Sequence, residues 1–427
     1  MRKNINKLIA FAIGISVISG GALPVFAADT TTINATASTA VSTNGQAQTV
    51  PLFTLKDAIN AAISNSDTLA LDDKKISYQD KTNDVNEKID DTTGVSGDKE
   101  TFNEDTRDNS LDQLKQQRDF DADKLIQKTT TAYNNIVTSQ MKIDKAAKIL
   151  EVKNKELSNA KLKKDLGIMT SIDVDSTELQ IQSLQNQQNL SINTLKDSQA
   201  SFKVLTGKDV TQFALEQDIK YEQFKIDGSV DEYLDNVIDK YLKYSAELLK
   251  LKKDYYDDKD NQVSEDDVKK AEDAAKTAVK PTKPEDTDPD LAKKYITYTD
   301  DLDKYNTAKG GYATALSLRL AYLNTKLGVY TQETSLEETK KTYKESLKTI
   351  YTNLLSTEEN INYLKNSIQL NNKQISISKL KYDLGLITKL DYDTQVAGNQ
   401  DLDIQLRSAV DSYNTLKEKI QKPWLAF

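Results

Sequence analysis

Two pairs of carboxylates recur behind a threonine at one spacing. Asp173 and Asp175 follow Thr170 by three and five residues, and Asp391 and Asp393 follow Thr388 in the same way. A threonine with an aspartate three residues on is capping chemistry. The hydroxyl accepts a bond from a free amide at a helix start, and the carboxylate sits near the positive end of the helix dipole. That use suits Asp173 and Asp391 best. It leaves Asp175 and Asp393 open to a second use, in which all four carboxylates ring the end of a pore as an acidic collar.

Other chemistry is scarce. The chain has no His and no Cys. The commonest general base and metal ligand is therefore missing, and so are thiolate nucleophiles and disulfides. Among 66 acidic residues, the proximity of two carboxylates carries no information. Asp258-x-Asp260-x-Gln262 has the start of a calcium loop but lacks the glycine that should follow at Val263. No catalytic residue, metal site or cofactor is expected, and the chain reads as a non-enzyme.

The elements that hold the carboxylates are duplicated. The stretch KLKKDLGIMTSIDVD, Lys161 to Asp175, recurs 218 residues later as KLKYDLGLITKLDYD, Lys379 to Asp393, with nine of fifteen positions identical. Each copy reads as the bend of a helical hairpin. Gly167 and Gly385 stand where a helix ends in a left-handed residue, a conformation that glycine adopts cheaply. Met169 and Ile387 precede the caps, with Val174 and Tyr392 at the fourth helical position, the spacing of a hydrophobic staple. Leu166-Gly167-Ile168-Met169 and Leu384-Gly385-Leu386-Ile387 therefore have two readings. They form an exposed apolar tip for a partner, or they only pin the turn.

Long amphipathic helices lead into each bend. Ala122, Thr129, Ile136, Ile143, Leu150 and Leu157 fall seven apart, and Leu347, Leu354, Ile361, Ile368 and Ile375 repeat the row in the second half. Tyr351 falls where Tyr133 does. After the bends, Val174, Ile181, Leu195 and Phe202 form a returning row broken at Gln188, and Tyr392, Leu406, Tyr413 and Ile420 form another broken at Asn399. Sevenfold spacing with further apolar residues beside it predicts helices packed on two sides, as in a bundle or tube.

The expected organisation is a signal peptide over residues 1–27, with Arg2, Lys3 and Lys7 ahead of an apolar run and cleavage near Ala27. A disordered linker follows over 28–51, a first helical repeat over 52–210, a crossover over 211–230 and a second repeat over 231–427. The second repeat carries an acidic, proline-bearing insertion over about 257–294, with a short helix over Glu265 to Ala278. Polar residues 90–109 predict a turn-rich break, Ile219 to Ile226 a strand or extended crossover, and Tyr295 to Tyr298 a short strand-like piece. Removal of the signal leaves 54 basic against 66 acidic residues, a net charge of −12 that excludes nucleic acid as a partner.

These features together resemble the TolC-like outer-membrane efflux proteins. The resemblance rests on the twofold repeat and the Leu55-Lys56-Asp57-Ala58-Ile59 opening. It rests also on the long helices bearing Tyr133 and Tyr351, the two Leu-Gly-hydrophobic-x-Thr-x-x-Asp bends, and Lys203-Val204-Leu205-Thr206-Gly207 closing the first repeat. It implies a mainly α fold of two tandem antiparallel hairpins, assembled as a homotrimer into an α-barrel in the cell envelope. It implies that Leu166, Gly167, Ile168, Met169, Leu384, Gly385, Leu386 and Ile387 meet a periplasmic-adaptor-like (membrane fusion) protein coupled to a membrane pump. The family's membrane strands have no counterpart of ~9–11 alternating residues here. Little or no β-barrel is expected, as in a version from a cell without an outer membrane. The alternative is a structural surface protein whose coiled hairpins act as spacers or interaction rods.

Overall fold

The computed structural model describes residues 50–287 and 290–427, so the expected signal peptide and nearly all of the expected linker lie outside the described residues. The elements are β1 (Leu52–Phe53), α1 (Leu55–Ser64), α2 (Asp67–Thr93), α3 (Asp98–Asp165), α4 (Ser171–Thr206), β2 (Ala214–Leu215), α5 (Val230–Tyr241), α6 (Lys243–Asp257), α7 (Glu265–Thr277), α8 (Leu291–Asp383) and α9 (Lys389–Gln421). The fold is mainly α, as the periodicity predicts. Among the described residues the only strands are β1 and β2, which pair in parallel over two residues each. No described helix is long and apolar enough to cross a membrane.

Helix α3 runs 68 residues and α8 runs 93. At ~1.5 Å per residue these are rods of roughly 100 and 140 Å. Asp98 and Glu100 in the first turn of α3, with Lys163 and Lys164 in its last, complement the dipole at both ends.

Several local expectations change. Residues 90–109 are not an irregular break. Only Gly94 to Gly97 turn, with Gly94 and Gly97 at φ +72° and +63°, and helix resumes at Asp98. Phe102 anchors this polar stretch by stacking on Tyr255 at 4.3 Å. Tyr295 to Tyr298 belong to α8 rather than to a strand, and Ile219 to Ile226 are extended without strand pairing. The opening helix is two helices, α1 and α2, which break at Asn65. The Asn65 amide bonds the carbonyls of Val204 and Leu205 at the end of α4. A similar break at Leu242 separates α5 from α6.

In the half towards the bends the four long helices lie side by side. Helix α3 packs between α4 and α9, and α9 between α3 and α8, which leaves α4 and α8 at the two edges. Each half has its own core. Ala58, Tyr133, Ile136, Val137, Leu195 and Phe202 fill the first, and Leu234, Ile238, Leu347, Leu354, Ile361 and Tyr413 fill the second. Burying each of these aliphatic side chains fully is worth roughly 2 kcal/mol. The heptad rows thus become core in mid-helix, while Ile368 and Ile375 are only half-buried nearer the bend.

Tyr133 also pins the crossover. Its hydroxyl donates to Phe53 O at 2.7 Å and accepts from Glu216 N at 2.8 Å, tying α3 to the strand pair. In the second half the hydroxyl tie is made by Tyr413 of α9, which accepts from Phe224 N at 2.7 Å. Tyr351, the sequence equivalent of Tyr133, packs only against the rim of that core.

Candidate functional site

The two bends close with the same bonds. In the first, Ile168 N donates to Lys163 O at 2.8 Å and Gly167 N to Lys164 O at 2.9 Å. In the second, Leu386 N donates to Lys381 O at 2.8 Å and Gly385 N to Tyr382 O at 2.9 Å. This paired pattern is a Schellman motif, and it requires a left-handed residue. Gly167 supplies it at φ +72° and Gly385 at φ +71°. A Cβ at either position would meet nothing within 4 Å, so conformation rather than space demands the glycine.

The next helix restarts at once. Thr170 Oγ1 accepts from Asp173 N at 3.3 Å, while Asp173 Oδ2 accepts from Thr170 N and Oγ1 at 3.1 and 2.7 Å. Thr388 and Asp391 repeat the arrangement, with 3.1 Å from Asp391 N to the hydroxyl. The threonine hydroxyl, then the backbone amide, holds each aspartate below the usual carboxylate range. Asp393 is pushed up by burial, but hydrogen bonds and charge from Lys389 and Lys155, at 3.1 and 3.4 Å, outweigh this and leave it lowered. Asp175 is exposed. Within one chain, three of the four carboxylates are thus engaged locally.

The Lys155 to Asp393 pair has a topological consequence. Lys155 lies near the end of α3 and Asp393 near the start of α9, so both bends lie at one end of the bundle. Leu166 and Ile168 are 66% and 72% exposed, and Leu384 and Leu386 are 65% and 69%. Met169 and Ile387 are half-buried, beside a buried Val174 in the first bend and a half-buried Tyr392 in the second. Tyr392 also stacks on Tyr382 at 5.7 Å across the second hairpin. Each tip therefore divides. One residue turns inward, and two large apolar residues face solvent on a turn held by backbone bonds.

The exposed surface is wider than the bend motif alone. Leu162, Ile172 and Leu380 are also exposed. Leu162 and Leu380 lie one turn before Leu166 and Leu384, and their identity in both copies of the repeat was the available signal. Ile172 carries no comparable mark.

Further from the bends, α3, α4, α8 and α9 enclose an open cleft of about 710 Å³. Gln187, Gln188, Asn360, Gln405 and Ser408 line it. Gln188, which interrupts the apolar row of α4, thus lines this cleft beside Ile149, Leu184, Leu364 and Ile404. Among the described residues no group of three or more Asp or Glu could hold a metal ion.

The sequence matches no protein-family model and no curated protein. The fold does match solved structures. A membrane protein from Pseudomonas aeruginosa superposes with a TM-score of 0.50 at 10% identity, over 87% of this chain and 89% of that one. CusC, described in terms of folding and transmembrane channel formation, gives 0.50 at 10% identity over 85% and 91%. The outer-membrane channel OprN gives 0.53 at 10% identity over 87% and 90%. At this identity the likeness is one of fold, and it is the TolC-like helical fold that the doubled bends imply.

Proposed function

We propose that the chain is an exported, non-enzymatic component of an efflux or secretion conduit in the cell envelope. Copies stand side by side as a homotrimeric tube, and the bends dock an adaptor-type protein coupled to a membrane pump. The observation that carries this reading is the pair of rigid tips at one end, each exposing two large apolar residues. Apolar side chains held in solvent by a preorganised turn are a surface for a partner, since the fold itself gains little from them. The open edges support the tube: α4 exposes Ile172, Leu179 and Leu190, and α8 exposes Tyr363, Leu370 and Ile377. In such a tube Asp175 is the carboxylate left for a collar at the pore end.

The competing reading is a spacer or interaction rod in the envelope. The unbroken helix of α8 over 93 residues favours it. The Ile168→Asp, Leu386→Asp double variant separates the two. These side chains are exposed, so the fold should persist by circular dichroism. Capture of the adaptor in pull-down and export in cells should both be lost. Retention of both would remove the docking surface.

A further inference from the structure

A second apolar row lies roughly 80 to 100 Å from the bend along α8, by the ~1.5 Å rise per residue. Leu316, Leu320, Leu323, Leu327 and Tyr330 are all exposed, between 45% and 65%. Their spacing is four, three, four, three. That is the seam of a coiled coil, with Leu320 and Leu327 at one core position and Leu316, Leu323 and Tyr330 at the other. Within the chain, α8 turns a different side to α6 and α7, where Tyr322 and Val329 are buried. Among the described residues the seam has no partner helix.

The charges beside the seam say what fits it. From Gly310 to Ser335 every charged residue is at least partly buried. The flanking charged residues on one side are Arg319, Lys326 and Glu333, and each is held inside the chain. Arg319 bonds Val263 O, Lys326 pairs with Asp257 at 3.0 Å, and Glu333 pairs with Lys253 at 2.5 Å. The other flank is Ser317, Asn324 and Thr331. A parallel pairing of identical helices sets each flank against the opposite flank of the other copy, so Arg319, Lys326 and Glu333 would face Ser317, Asn324 and Thr331, and no like charges meet across the seam. A bilayer fits poorly, because the row is one seam wide and α7 beside it exposes Glu265, Asp266, Lys269 and Lys270.

We propose that this row on α8 is a self-association seam that packs in parallel against the same row on the other copies of the chain, about their common axis. It closes the assembly at the end opposite the bends with helices. The seam requires more than one copy but no adaptor, so it stands or falls apart from docking at the tips.

The chain has no cysteine, which makes the test direct. In the full chain, Leu323→Cys should give a dominant cross-linked dimer on oxidation or with a short bis-maleimide. Leu355→Cys, exposed elsewhere on α8, should give only collisional background. The Leu320→Glu, Leu327→Glu variant should keep its helical content and lose at least tenfold in self-association by analytical ultracentrifugation. An absent Leu323→Cys cross-link, or unchanged association of the glutamate variant, would overturn the seam. Two other outcomes would also overturn it, by naming a different occupant. One is preferential cross-linking of Leu323→Cys to Val85→Cys on α2 of another copy. The other is flotation with phosphatidylglycerol vesicles that the glutamate variant loses. The tip variant Ile168→Asp, Leu386→Asp should leave the cross-link intact.

Discussion

Replacing Gly167 by alanine isolates the conformational demand of the first bend. The added methyl meets nothing within 4 Å, so no clash contributes. What remains is the cost of an L-residue at φ +72°, about 1–2 kcal/mol less whatever alanine gains by restricting the unfolded chain, hence about 1 kcal/mol net. That corresponds to a roughly fivefold larger open population of the bend, since 1.4 kcal/mol is a factor of ten. Hydrogen exchange read by mass spectrometry on the peptides spanning 161–175 and 379–393 measures it. The amides of Gly167 and Ile168, which close the turn onto Lys164 and Lys163, should exchange about fivefold faster. The second bend, closed by the same bonds, should be unchanged and serves as the internal control. Gly385→Ala should reverse the two results. Unchanged exchange at the altered bend, or equal acceleration at both, would refute a locally required left-handed glycine.

The caps and the tyrosine ties make further predictions. Thr170→Ala and Thr388→Ala should each raise the pKa of the neighbouring Asp173 or Asp391 in NMR titrations. In the intact protein those aspartates titrate below their unfolded value of about 3.9. Their contribution is therefore present above that value and lost as pH falls through the folded one. Bend protection should decline on acidification in the wild type and show less of that decline in the alanine variants. An unmoved carboxylate titration would show that the hydroxyls do not hold these groups. Tyr133→Phe removes one donated and one accepted bond to backbone and should cost about 2–3 kcal/mol, whereas Tyr413→Phe removes one accepted bond and should cost about 1 kcal/mol. Equal urea midpoint shifts for the two would contradict that assignment.

Where the chain could be read, the determinants are local. A glycine, a threonine and an aspartate at fixed offsets carry the turn chemistry within ten residues, and the sevenfold rows carry the buried face of each helix. The structure finds Ile136, Ile143, Leu150, Leu347, Leu354 and Ile361 buried on those rows. Where reading failed, the cause lay in distant partners. Residues 98–109 have too few apolar side chains to show a helical face, and their stability comes from α2 and α6. Arg107 pairs with Asp90 at 2.6 Å, and Asn109 bonds Tyr244 O at 3.1 Å. Tyr351 and Tyr133 are equivalent by offset, yet the hydroxyl tie of the second half is made from α9. The bends show the same limit. Their shape is written in sequence, but the split between the inward Met169 and Ile387 and the outward Leu166, Ile168, Leu384 and Leu386 depends on how the hairpins close.

Electron microscopy of the purified mature protein tests the conduit most directly. The account predicts a hollow cylinder of three copies, walled by the long helices, with all six bends gathered at one rim. A field of single rods, or a filled bundle with the bends scattered between both ends, would contradict it.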